Sequence, residues 1–85
     1  MIILAIDPGK LKFGYAVLTN EKKVLRQGTA EVNALCPLVK KLVTEYYVRT
    51  VVIGDRTGGA SFYARLTATM AAEGLKLAMI GEDGS

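Results

Sequence analysis

The 85-residue chain contains no histidine and one cysteine. Without histidine there is no Ser-His-Asp triad, no Cys-His pair, no H-E-x-x-H zinc site and no imidazole base. Cys36 can form no internal disulfide and cannot build a zinc site alone. What remains for catalysis is carboxylate chemistry, most simply with a bound hard cation. Long apolar runs are missing too, and no segment approaches the roughly 18 residues of a membrane span. The start MIILAIDPGK has no basic region before its apolar run, which stops at Asp7. It does not read as a signal peptide, and a cytoplasmic location is the expectation. Charge of one sign is scarce as well. Eleven basic and eight acidic residues leave +3, too little for a nucleic-acid-coating tail. The short runs Lys22, Lys23, Arg26 and Lys40, Lys41 read as ordinary solvated faces, with phosphate contact by a few of them as the alternative.

What is present suits a single small globular domain over 1–85. The apolar fraction of 51% argues against disorder. A chain this short hides only about 60% of its unfolded surface, so its core is modest. Ile2 to Ile6 is a β-branched apolar run that reads as a strand buried on both faces. Pro8 and Gly9 suit the middle of a type II turn, glycine supplying the positive φ. Phe13 to Leu18 reads as a second strand with Gly14 inside it, where a backbone or ligand comes close. After the polar turn Asn20-Glu21-Lys22, residues Lys23 to Val32 read as a third strand.

The period then changes. Leu35, Leu38, Val39, Leu42, Val43 and Tyr46 fall on one helical stripe, and Pro37 places the helix start near Asn33–Cys36. Thr50 to Ile53 is another buried strand, followed by a glycine-rich loop through Gly59. A second helix is expected from about Ala60 to Glu73, with Phe62, Tyr63, Leu66 and Met70 inward and Gly74 as its stop. Leu75 to Ile80 reads as the last strand. The order β-β-β-α-β-α-β predicts an α/β fold, a mixed five-stranded sheet with covering helices.

Asp7 is the leading candidate for chemistry, a carboxylate at the carboxyl end of a central strand, where open α/β sheets place their ligands. An aspartate that merely opens the turn would look the same. Asp55 follows the fourth strand and Glu82 and Asp83 follow the fifth. The two crossovers run these strands parallel to the first, so the acids are expected at one edge, within reach of a metal. Several anions together are costly unless a cation is present, as in a Mg²⁺ site. Loop capping or plain solvation is the competing reading for Asp55 and Asp83.

The segment IDPGKLKFGYAVL resembles the opening hairpin of the RuvC/YqgF branch of RNase H-like nucleases, where I-D-x-G-x-x-x-x-G-x-A/G-V recurs. VVIGDRTGG resembles the YqgF-type fourth strand and its exit loop, and KLAMIGEDGS a fifth strand running into an acidic segment. The resemblance implies an RNase H-like fold and a Mg²⁺- or Mn²⁺-dependent nuclease. Its substrate would be structured DNA or RNA, a Holliday junction or a ribosomal RNA precursor. Asp7 would be the first metal ligand and Glu82 the second, both catalytic, with Asp55 and Asp83 as further metal candidates and Lys10, Lys12 or Arg56 on phosphate. The RuvC branch would instead place a glutamate at the end of the fourth strand, where this chain has Gly54. Asp55 is one residue late, which turns its side chain to the other face, so the YqgF-like arrangement fits better.

The family also continues into a final helix that returns an aspartate to the metal, whereas this sequence stops at Ser85. The resemblance therefore implies a C-terminally truncated domain with one sheet face partly uncovered, a setting that favours a homodimer. Holding two ions roughly 3.5–4 Å apart takes more than two carboxylates. A non-catalytic binding or structural remnant of the same fold is the alternative. Asp-x-Gly after a strand also resembles the phosphate loop of actin-like ATPases, which require two such domains closing over a nucleotide.

Overall fold

The computed structural model describes residues 1–54, 58–70 and 76–80. The strands are β1 (Ile2–Asp7), β2 (Lys12–Thr19), β3 (Val24–Glu31), β4 (Thr50–Gly54) and β5 (Lys76–Ile80). The helices are α1 (Leu35–Tyr46), entered through a 3-10 turn at Val32–Ala34, and α2 (Gly59–Met70). The element order is the one expected. One five-stranded sheet holds all the strands in the order β3-β2-β1-β4-β5. The first three form an antiparallel meander, with Ile2 opposite Thr19 and Asp7 opposite Gly14. β4 lies parallel to β1 with Ile6 level with Ile53, and β5 lies parallel to β4 with Gly54 level with Ile80. The carboxyl ends of β1, β4 and β5 therefore share one edge.

Alternation along the strands sends Leu4, Ile6, Phe13, Val17, Val51 and Ile53 to one face. There they meet Leu35, Val39 and Leu42 of α1 and Phe62 and Leu66 of α2 in one core. Phe13 and Phe62 pack edge to face, centroids 5.7 Å apart, the arrangement aromatic quadrupoles favour. The rest of the α1 stripe, Leu38, Val43 and Tyr46, is half-buried around that core. Pro37 lies in the first turn of α1, where its missing N–H leaves no bond unmade. Tyr47 ends α1 in the left-handed region (φ 57°), its N–H donating to the Val43 carbonyl. Arg65 of α2 donates a hydrogen bond to the Val32 carbonyl at 3.3 Å, tying α2 to the entry of α1.

Two expectations are corrected here. The first strand is not buried on both faces: Leu4 and Ile6 are buried, while Ile3 and Ala5 are half-buried. Both helices pack on the same face, and among the described residues no helix covers the other. The Pro8-Gly9 corner is not a type II turn, because Gly9 does not take a positive φ. Glycine is required there for a different reason, since a Cβ would collide with the Lys12 carbonyl oxygen as the chain folds back into β2. The expected extension of α2 to Glu73, its stop at Gly74 and the first residue of the last strand lie outside the described residues.

Candidate active site at the carboxyl end of the sheet

Asp7 is the last residue of β1 and is exposed. Its odd position puts it with Ile3 and Ala5 on the sheet face opposite α1 and α2, while Leu4 and Ile6 anchor the strand in the core. Its cross-strand partner on β2 is Gly14. On the other side Ile6 is level with Ile53, and the next residue of β4 is Gly54. The carboxylate is thus flanked on both neighbouring strands by residues without side chains. A Cβ at Gly14 would stand 3.8 Å from the Asp7 Cβ. That distance is ordinary contact, so Gly14 is not demanded sterically; it leaves the space beside the carboxylate open.

The result is a groove of about 570 Å³ on the open face, lined by Ala5, Asp7, Gly14, Ala16, Thr29 and Gly54, among others. Small residues dominate its floor, and among the described residues Asp7 is the one carboxylate lining it. Among the described residues Asp7 makes no side-chain hydrogen bond and no ion pair. A carboxylate with its lone pairs unclaimed, in a roomy cleft, is free to accept from a cation or a polarised ligand.

Lys10 and Lys12 leave β1 on the hairpin that follows Asp7, and both are exposed. They therefore stand at the Asp7 edge. Asp55, Arg56, Glu82 and Asp83 lie outside the described residues, so the expected gathering of acids is not placed. Among the described residues there is no group of three or more His, Cys, Asp or Glu side chains that could hold a metal. Sequence reasoning missed the pairing of Gly14 and Gly54 around Asp7. The signal was there for Gly14, because a hairpin turning between residues 7 and 14 sets the two opposite each other.

No family model and no curated protein sequence matches the chain. Solved structures do. Thermus thermophilus RuvC superposes with a TM-score of 0.76 at 15% identity, over 95% of this chain and 62% of that one. The nuclease domain of the large terminase subunit gp2 of bacterial virus Sf6 matches at 0.70 and 20% identity, over 94% and 37%. The fowlpox virus resolvase, solved with its substrate Holliday junction DNA, matches at 0.68 and 17%, over 100% and 65%. The fold is RNase H-like. It is shared beyond nucleases, since a ROK family protein from Streptococcus pneumoniae also superposes, at 0.64 and 16% identity. The chain thus spans less than two thirds of the length of each of these proteins. These likenesses settle the architecture, and chemistry has to be argued from the site.

Proposed function

We propose that this chain is a metal-dependent nuclease acting in the cytoplasm on structured DNA or RNA, with a Holliday junction or a ribosomal RNA precursor of the YqgF kind as substrate. The observation that carries this reading is Asp7, set at the end of the central parallel strand with Gly14 and Gly54 opening the space on either side. A mutant of the Sf6 nuclease domain, which shares the fold, was solved with manganese. The donor chemistry here suits such an ion: Asp7 offers hard oxygens without a competing partner among the described residues, and Mg²⁺ commonly takes one or two carboxylates and fills its shell with water and phosphate oxygens.

Bound there, the ion would supply Lewis-acid stabilisation and a water of lowered pKa. The chain's own residues do the rest. Asp7 anchors the cation at the strand end, and Glu82 is its catalytic partner, with Asp55 and Asp83 as further ligands. Lys10 and Lys12, with Arg56, neutralise phosphate oxygens and hold the scissile group against the carboxylate edge. A homodimer is the assembly we propose, which sedimentation at rising concentration would register as a monomer–dimer shift.

The test is Mg²⁺-dependent cleavage of a four-way junction and of a precursor RNA by the wild type and by Asp7→Asn. The side chain is exposed, so the substitution should change stability by no more than about 0.5 kcal/mol while abolishing cleavage. Undiminished cleavage by the variant would remove Asp7 from the mechanism. Binding without cleavage by the wild type would favour the non-catalytic alternative.

A further inference from the structure

Leu11 is 82% exposed, the most exposed large apolar side chain among the described residues. Single exposed leucines are common and mean little by themselves. This one differs from the others in its place. Met1, Val24, Leu25 and Tyr47, the other exposed large apolar residues, belong to the opposite end of the sheet or to strand starts there. Among the described residues Leu11 alone of these stands at the carboxyl end, four residues after Asp7 and between two exposed cations, Lys10 and Lys12.

It is also held firmly. The Leu11 carbonyl accepts a hydrogen bond from the Val32 N–H at 3.0 Å. Pro8 is buried at the base of the loop, and the Gly9 backbone lies too close to the Lys12 carbonyl for any side chain to fit. The short loop is anchored by buried Pro8 and by the Leu11–Val32 hydrogen bond, and turn tips left to solvent normally carry polar residues.

We propose that Leu11 is an apolar wedge that enters an opened base step of a branched nucleic acid, with Lys10 and Lys12 seated on the phosphates to either side. The proposal rests on the nucleic-acid reading above and adds the element that selects branched over continuous substrate. Burying one leucine side chain gains about as much as parting one base step costs. In an unbroken duplex the two offset each other. At a branch point the stack is already interrupted, the cost falls away, and the leucine favours binding there.

The experiment uses a four-way junction made in DNA and again in RNA, each with 2-aminopurine beside the branch. Continuous duplexes of the same sequence serve as controls, all in buffer without a cleavage-supporting metal. Anisotropy reports binding and 2-aminopurine emission reports unstacking. The wild type is expected to bind a junction more tightly than the duplex and to raise emission. Leu11→Ser should lose both the rise and the preference, with junction affinity falling less than about tenfold, and Leu11→Met should restore them. A rise that persists in Leu11→Ser, or binding with no rise in the wild type, overturns the wedge and leaves the nucleic-acid reading standing. Failure to bind any of the nucleic acids overturns both.

Discussion

At the scale of single residues, the hairpin after β1 adjoins the proposed site, and Gly9 sets its shape. The chain leaves the core at buried Pro8 and returns at Phe13, so it must reverse within a few residues. That reversal brings the Gly9 backbone against the Lys12 carbonyl, a rigid neighbour that cannot turn aside as the end of a long side chain could. Adding even a methyl group there forces the loop outward, and such overpacking costs typically about 1–3 kcal/mol. Gly9→Ala is therefore expected to lower the unfolding free energy by that amount, read from the urea midpoint, and, on the proposed function, to weaken metal binding by Asp7, two residues away. Gly14→Ala meets only an ordinary contact and should change stability by about 1 kcal/mol or less. Equal losses in the two variants, measured by urea denaturation, would show that the Gly9 contact does not govern the corner.

At the scale of elements, the order and type of the five strands and two α-helices were legible, most of them from apolar runs and hydrophobic period, while the 3-10 turn at Val32–Ala34 was not. Alternate buried residues mark Phe13 and Val17, and the 3.6-residue stripe marks Leu35, Val39 and Leu42. Less legible was which sheet face the helices cover. Ile3, Ala5 and Val52 are apolar like their neighbours, so β1 and β4 read as buried on both sides. Pattern records that a face avoids charge; it does not record what lies over it. The turn at Gly9 misled for a similar reason, since Pro-Gly satisfies a local turn rule while the decisive neighbour is three residues on. Of the proposed site, the strand-end position of Asp7 was legible, whereas its glycine flanks depend on register between strands.

The helix–sheet contact is the element most exposed to a single change. Phe62 is the buried aromatic by which α2 grips β2, edge-on to Phe13, and Leu66 one turn later completes the contact. Deleting a buried phenylalanine ring costs about 3–5 kcal/mol, against a total of roughly 5–15 kcal/mol for a domain. Phe62→Ala should leave the chain largely unfolded by circular dichroism at moderate urea, and Phe62→Leu should recover most of the loss. The exposed pair Arg26–Glu45, at 4.0 Å, belongs to the other extreme, and its removal should change the midpoint little.

At the scale of the whole molecule, the charge distribution decides how any nucleic acid would be held. The net charge of +3 is small, yet it is unevenly placed. Lys22 and Lys23 sit at the β2–β3 turn, Arg49 precedes β4 and Lys76 opens β5, all at the end of the sheet away from Asp7. Lys10 and Lys12 stand at the Asp7 end. If binding runs through that end, Lys10 and Lys12, with Arg56 as proposed, displace counterions from the phosphates, while the part-buried Arg65 is engaged with the Val32 carbonyl. Each phosphate neutralised contributes about −0.9 to the slope of log affinity against log salt. A duplex-armed junction should then show a slope of about −2 to −3, well short of what eleven scattered cations would give. Lys12→Ala should make the slope shallower by about 0.9, and Lys22→Ala or Lys76→Ala should leave it unchanged. Equal effects from the two ends would mean that the molecule binds by diffuse charge, and that the Asp7 edge does not select where the backbone lies.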